Sequence, residues 1–146
     1  CDLRVADETA IFGVFSRRWG VPMSDGTTVR LPRLIGMSKA LDMLLTGRAI
    51  DAEEAHQIGL ANYVVAKGQA RDEAEKLARR IAEFPQIAMC SDRQSAYAQL
   101  GMSLEDAVLA EAQLAQAAKE QEAQSGAARF AEGAGRHGSF EEGGKP

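Results

Sequence analysis

Asp25 is the acidic residue of this sequence best placed for acid–base chemistry. It lies in a turn beside Gly26, after an apolar stretch that contains proline and two aromatic residues, Phe15 and Trp19. A carboxylate held against an apolar wall has a raised pKa, which would let it exchange protons near neutral pH. The alternative is structural, because Asp25 or the neighbouring Ser24 could cap the helix that follows.

Two adjacent arginines, Arg17 and Arg18, lie between the same aromatic residues. A guanidinium pair can bind a substrate carboxylate or an acidic surface of a partner subunit. The alternative is a solvated surface pair without a ligand. Phe15, Arg17 and Trp19 are therefore candidate substrate-binding residues.

Other chemistries suggested by residue type lack the context that they require. His56 and His137 have no cysteine or acidic residue at metal-ligand spacing, so no metal site is predicted. Gly133, Gly135 and Gly138 follow the GxGxxG spacing, but a helix precedes them and only a short tail follows. A dinucleotide-binding motif needs a strand before it and a helix after it. No GxSxG nucleophile elbow is present either.

The first part of the chain, residues 1–67, alternates short strands, turns and short helices. Residues 3–6, 10–15 and 61–65 are predicted strands, and residues 27–34 are a predicted short helix interrupted by proline. Ser38 is a predicted N-cap of a helix that ends at Gly47. Asp51 is predicted to cap the next helix, with Glu54 completing a capping box.

The second part, residues 68–146, is predicted to be helical up to a glycine-rich tail. Ser103 is a predicted N-cap of a long helix that breaks at Ser125 and Gly126. The chain as a whole has too few predicted strands for a complete sheet, so we expect further strands before residue 1. The first residue is not Met, which also suggests a cut at this point.

Composition restricts the class of protein. Hydrophobic residues make up 45% of the 146 and charged residues 26%, a balance typical of a globular domain. The net charge of −4 argues against nucleic acid as a partner. No apolar run approaches the roughly 20 residues of a membrane helix. Cys1 and Cys90 are far apart in sequence, which fits a reduced, cytoplasmic compartment.

Eight separated segments carry a more specific signature. They are FG (12–13), DGT (25–27), RLPRLIG (30–36), KAL (39–41), LLTGR (44–48), AEEA (52–55), GLAN (59–62) and AARFAE (127–132). At this spacing they resemble the C-terminal portion of the crotonase family, the enoyl-CoA hydratases, isomerases and their relatives. The resemblance implies an α/β spiral of strand–strand–helix units, here its last, mostly α-helical part. Residues 1–67 would then end the spiral and include an active-site wall.

The resemblance also implies that residues 68–146 are an oligomerisation region that builds homotrimers or hexamers. Family members act on acyl-CoA thioesters and stabilise an enolate-like oxyanion with two backbone N–H groups. In the family, that oxyanion hole and the first catalytic Glu lie just before the position of Cys1. We therefore expect an enoyl-CoA hydratase or isomerase of fatty acid metabolism, without metal or dissociable cofactor, and expect this chain alone to be inactive.

Ser16 departs from the family pattern. An ungapped count from Phe12 places it where hydratases carry a second catalytic Glu, and a serine cannot act as a carboxylate base near neutral pH. Other branches of the family carry an acid one residue before Asp25. Asp25 and Ser16 are thus the candidate catalytic residues. In the tail, Arg136 and Lys145 could bind the phosphates of CoA, or have no ligand.

Two alternatives to hydration remain open. The protein could be a crotonase-fold enzyme with another reaction, such as isomerisation or thioester hydrolysis. It could instead be a non-catalytic oligomerisation module. The discriminating feature would be a Gly-Gly-Gly-x-Glu-like segment before Cys1, which favours an enzyme.

Overall fold

The computed structural model of the protein describes residues 1–135. Two compact units divide the chain, Cys1–Arg79 and a second unit that begins at Arg80. The predicted functional division between residues 1–67 and 68–146 stays a prediction. Arg136, His137, Gly138 and Lys145 lie outside the described residues.

The described elements are short strands and a larger number of helices. The strands are β1 (Val5–Asp7), β2 (Ile11–Phe12), β3 (Ile50–Asp51) and β4 (Tyr63–Val65). The helices are α1 (Thr27–Ile35), α2 (Met37–Thr46), α3 (Ala52–Gln57), α4 (Ala70–Ala82), α5 (Gln86–Ala98), α6 (Leu104–Leu114), α7 (Gln116–Ala118) and α8 (Gln124–Ala131). A 3-10 helix covers Phe15–Trp19, and a π-helical turn covers Lys119–Ala123. No helix within residues 1–135 is both long and apolar enough to cross a membrane.

The strands of the first unit form two small sheets. β1 pairs in parallel with β4, so that Ala6 lies opposite Val64, and β2 pairs antiparallel with β3, so that Phe12 lies opposite Ile50. The strand predicted over residues 10–15 is therefore shorter than expected. Its partner β3 has only two residues, and the chain beyond them continues into the 3-10 helix.

Small and aliphatic side chains make up the core of the first unit. Its buried residues are Ala6, Val14, Leu31, Ile35, Ala40, Met43, Ile50, Ala52, Ala55 and Ala61. Many are alanines, so helices and strands approach closely without large side chains between them. Burial of these apolar surfaces is the main driving force that holds α1, α2 and α3 against the strands.

Helix ends in the first unit test three predicted signals. Gly47 ends α2 with a φ of 59°, and its N–H donates to the Met43 carbonyl, as predicted. Asp51 caps α3 by accepting from the Glu54 N–H at 2.8 Å. The prediction for Ser38 is wrong, because Gly36 turns the chain directly from α1 into α2 and is itself the N-cap.

The second unit is a set of helices with little buried side-chain surface. Among its described residues only Ala118 is buried. Ser103 caps α6 as predicted, since its Oγ accepts from the Asp106 N–H at 3.1 Å. The break predicted at Ser125 and Gly126 is wrong, because α8 runs through both residues. An interior glycine costs a helix about 1 kcal/mol, and α8 remains helical on both sides of Gly126 despite this cost.

Candidate functional site

A cleft in the first unit is the best candidate for a small-molecule site. It has a volume of about 380 Å³ and lies between the 3-10 helix, the loop that follows it, and helices α1 and α2. Its described lining residues are Val14, Ser16, Arg17, Gly20, Val21, Pro22, Met23, Thr28, Leu41, Leu44 and Leu45. Most of these side chains are aliphatic, so the cleft suits an apolar ligand with a few polar contacts.

A reversal of the chain at Gly20 brings the two walls of the cleft together. Gly20 adopts a φ of 70°, a left-handed conformation that other residues rarely adopt, and ends the 3-10 helix. The next residue, Val21, donates its N–H to the Ser16 carbonyl at 3.2 Å. Residues 21–23 therefore run back past Ser16, contact it and line the same cleft.

Ser16 lines this cleft from the 3-10 helix. Its side chain is half-buried, and its Oγ lies 3.7 Å from the Sδ of Met23. A hydroxyl in this contact keeps its oxygen lone pairs available to a ligand. Ser16 can therefore give or accept a hydrogen bond inside the cleft, but it cannot replace a carboxylate base.

The adjacent arginines have different contacts. Arg18 donates its Nε–H to the Gly47 carbonyl at 3.0 Å, and its guanidinium lies 4.9 Å from the centroid of the Phe15 ring. Arg17 lines the cleft, and its guanidinium has no hydrogen bond or ion pair with any residue from 1 to 135. The predicted pair therefore separates into one arginine that holds the 3-10 helix and one that faces the cleft.

Neither predicted aromatic contact belongs to the described lining of the cleft. Phe15 packs so closely against Gly13 that a Cβ added at position 13 would displace the Phe15 ring. Trp19 is 81% exposed at the end of the 3-10 helix. Their roles in substrate binding stay predictions.

Asp25 lies on the protein surface at the start of α1. Its carboxylate accepts from the Thr27 Oγ1–H at 2.6 Å and from the Thr27 N–H at 2.9 Å. These hydrogen bonds, the hydroxyl first, hold the pKa of Asp25 below its ordinary value. The raised pKa expected from the neighbouring aromatic residues is therefore wrong, because the carboxylate is exposed and stabilised in its ionised form.

The alternative prediction for Asp25, that it caps the helix that follows, is close to what the structure shows. Gly26 is the formal N-cap of α1, with a φ of 89° and no capping side chain. Asp25 instead satisfies the first helical amide, that of Thr27. Asp25 does not belong to the described lining of the cleft, so its proposed catalytic role needs an independent test.

Helix α2 supplies a wall of the cleft that the sequence pattern alone does not reveal. Leu41, Leu44 and Leu45 line the cleft, whereas Ala40 of the same apolar stripe is buried in the core. The spacing of three and four residues identifies an apolar face. Leu45 is 65% exposed and therefore available to a ligand. This exposure depends on how α2 packs, which the spacing does not show.

An ion-pair network fixes the end of α2. Arg48 donates its Nε–H to Asp42 Oδ2 at 2.8 Å, and its guanidinium forms a two-pronged pair with Glu54 of α3, one prong measuring 2.7 Å. Hydrogen bonds from Arg48 hold the pKa values of Asp42 and Glu54 below their ordinary values. Because Glu54 is committed to Arg48, it does not complete the predicted capping box with Asp51.

No group of three or more potential metal-ligand side chains occurs within residues 1–135. His56 contacts the Ala61 carbonyl through Nδ1 at 3.2 Å, which gives it a structural partner. The predicted phosphate contacts, Arg136 and Lys145, lie outside the described residues and stay predictions.

Comparison with known proteins identifies the family. A model of the enoyl-CoA hydratase/isomerase family matches residues 1–142. The chain belongs to this family. The short-chain-enoyl-CoA hydratase of Clostridioides difficile is 44% identical over 89 residues, which are 61% of this chain and 57% of that protein.

Solved hydratases confirm the crotonase fold. The enoyl-CoA hydratase of Bacillus anthracis superposes with a TM-score of 0.84 at 30% identity, over 90% of this chain and 52% of that one. The enoyl-CoA hydratase of Mycobacterium tuberculosis H37Rv has a TM-score of 0.85 at 29% identity, over 90% and 53%. The chain thus spans about half the length of these relatives, and its assignment to their C-terminal portion stays a prediction.

Proposed function

We propose that the protein containing this chain acts on acyl-CoA thioesters as an enoyl-CoA hydratase or isomerase. The observation that carries the proposal is a largely aliphatic cleft, open at Ser16 and Arg17, in a chain of this family. Its walls complement the acyl chain of a thioester. Stabilisation of the enolate-like oxyanion by backbone N–H groups would supply the common chemical step.

The candidate residues take separate roles in this proposal. Ser16 hydrogen-bonds the substrate within the cleft, and Asp25, which is ionised at neutral pH, accepts a proton. Phe15, Trp19 and Arg17 contact the acyl group, while Arg136 and Lys145 bind the phosphates of CoA. No metal or dissociable cofactor takes part.

Isomerisation is the second candidate reaction, and Ser16 is the observation that favours it. Water activation in the manner of the hydratases uses two carboxylates, and this chain offers a hydroxyl at one of the two positions. Shifting a double bond requires a single group that removes a proton from one carbon and returns it to another. Asp25 alone could perform that transfer.

The proposal also covers the oligomeric state of the protein and its location in the cell. The second unit exposes large apolar side chains, including Leu104 at 83%, Leu109 at 59% and Phe130 at 61%. Such surfaces favour association, and the family resemblance points to homotrimers or hexamers. Two exposed cysteines without a disulfide fit the cytoplasm.

Filling the cleft tests the proposal. In the full-length protein that contains this sequence, Leu45→Trp should raise the KM for crotonyl-CoA by about 10-fold or more, because the indole would occupy the acyl site. Leu34→Trp is the matched control, since Leu34 is 43% exposed on α1 and does not line the cleft.

The reaction is followed by the loss of enoyl absorbance for hydration and by its appearance from a 3-enoyl-CoA for isomerisation. Equal KM values for the two tryptophan variants would show that the cleft is not the acyl site. Absence of both reactions in the unmodified protein would contradict the proposed activity.

A further inference from the structure

The charge of the cleft is the feature that the proposed activity does not explain. Arg17 is the one charged side chain among the described residues that line it, and no aspartate or glutamate appears among them. The other polar side chains there are the hydroxyls of Ser16 and Thr28. An unsubstituted acyl chain needs no cation, so a guanidinium in this position calls for a different ligand.

The contacts of neighbouring arginines show that Arg17 is unusual. Arg18 is bound to the Gly47 carbonyl and the Phe15 ring, and Arg48 is bound to Asp42 and Glu54. Arg17, between Ser16 and Arg18, has no such partner within residues 1–135. Its planar set of donors is therefore available to a ligand that enters the cleft.

A carboxylate is the ligand group that fits this donor set. Guanidinium binds carboxylate through two parallel hydrogen bonds, which are shorter and stronger than those between neutral groups. Arg17 is exposed at the cleft while the leucines of α2 form an apolar wall. A carboxylate paired with Arg17 would remain partly hydrated, and the methylene groups behind it would lie against the leucines, so the desolvation cost of the charge is limited.

We infer that the acyl group of the substrate carries a second carboxylate at its far end and that Arg17 binds it. The inference rests on the proposed action on CoA thioesters and specifies which thioesters. The same guanidinium could in principle bind a phosphate of CoA, which is common to all of them. The aliphatic walls beside Arg17 favour the acyl group, and the two sources give different results when the acyl group alone is changed.

The test compares two CoA thioesters of equal chain length, hexanoyl-CoA and adipoyl-CoA, which differ at the far end by a methyl or a carboxylate. Their binding to the full-length protein is measured by titration calorimetry at low salt. We expect adipoyl-CoA to bind about 10- to 100-fold more tightly, as charge-assisted hydrogen bonds imply. The preference should shrink as ionic strength rises, because the pair is partly exposed.

Variants assign the preference to Arg17. Arg17→Met should abolish it by weakening adipoyl-CoA far more than hexanoyl-CoA, and Arg17→Lys should retain part of it, since a point charge lacks the paired donors. Arg33→Met is the matched control, because Arg33 is exposed on α1 outside the cleft and should leave both affinities unchanged. A melting temperature equal to that of the unmodified protein shows that Arg17→Met is folded.

The remaining outcomes overturn the inference in distinguishable ways. Equal affinities of the unmodified protein for the two thioesters would leave the proposed activity standing and remove the dicarboxylic substrate. Equal weakening of both thioesters by Arg17→Met in a variant of unchanged melting temperature would assign Arg17 to a phosphate of CoA. Binding of neither thioester would contradict the proposed function and the inference with it.

Discussion

Two hydrogen bonds from one neighbour set the chemistry of Asp25. Thr27 offers both its hydroxyl and its amide to the carboxylate, so the ionised form is favoured and the pKa is lowered. Asp25 is therefore ionised at neutral pH before a substrate binds. Any catalytic role of Asp25 begins with accepting a proton, which the protonated carboxyl group can then return to the substrate.

Replacing Asp25 by Asn distinguishes the catalytic role from the structural one. The amide oxygen of Asn can still accept from the Thr27 amide, so folding should be retained. As a proton acceptor, Asp25 would contribute about 100-fold to kcat, and Asp25→Asn should lose that factor while the KM changes little. An unchanged kcat would restrict Asp25 to its role at the start of α1.

The dependence of activity on pH provides a second test of the role of Asp25. A base works only when it is ionised, so activity should fall as the pH drops through the pKa of Asp25. Because this pKa is lowered, the loss should occur at a lower pH than for an ordinary aspartate. Thr27→Val removes the stronger of the two hydrogen bonds, raises the pKa toward the ordinary value and should move this acidic loss to higher pH.

Arg48 joins three elements of the first unit. It follows α2, precedes β3, and binds Asp42 of α2 and Glu54 of α3. Since α2 carries the leucines of the cleft wall, this network positions the wall against the rest of the unit. Both carboxylates have lowered pKa values in the folded protein, which links the network to acid stability.

The linkage predicts how stability depends on pH. Carboxylates with a lowered pKa contribute stability that is fully present above their unfolded pKa, about 4, and that is lost as pH falls through the folded pKa. Arg48→Met should therefore lower the melting temperature most at pH 7. The difference from the unmodified protein should narrow below about pH 4.

Thermal unfolding monitored by circular dichroism between pH 7 and pH 3 measures this difference. Arg79→Met is the control, because Arg79 pairs with Glu75 on the exposed face of α4. Exposed pairs of this kind contribute little, so this variant should follow the unmodified protein at every pH. A constant offset between Arg48→Met and the unmodified protein would contradict the linkage.

At the scale of the whole molecule, a side chain from a segment that is distant in sequence can replace a local helix cap. Glu122 lies in the π-helical turn and accepts from the Ala88 N–H at 2.8 Å and the Ile87 N–H at 3.1 Å. These amides belong to the second and third residues of α5, whose N-cap, Pro85, offers no side-chain acceptor. A residue more than thirty positions away in sequence therefore caps this helix.

Removing this long-range cap should loosen the start of α5. Glu122→Ala should destabilise the second unit by about 1 kcal/mol, the usual loss when a capping side chain is removed. Hydrogen exchange at the Ile87 and Ala88 amides should accelerate accordingly. Glu111→Ala is the control, since Glu111 is exposed on α6, and equal exchange rates in the two variants would refute the capping role.

Local signals account for most of what the sequence determined by itself. Asp51, Ser103 and Gly47 end or begin helices where predicted, because each acts on backbone groups three or four residues away. Where such signals competed, as between Gly36 and Ser38, the conformational freedom of glycine prevailed. The family could also be predicted from the sequence, since its signature consists of short motifs at fixed spacing. The match over residues 1–142 confirms this prediction.

Only the tertiary structure separated Arg17 from Arg18 and turned the leucines of α2 into a cleft wall. Adjacent residues of one type have the same local propensity, so which of them finds a partner depends on Gly47, some thirty residues further along the chain. The pKa of Asp25 likewise follows from its exposure and its contacts with Thr27, not from its aromatic neighbours in sequence. Partners, burial and charge at the site are set by distances in space, which sequence spacing does not encode.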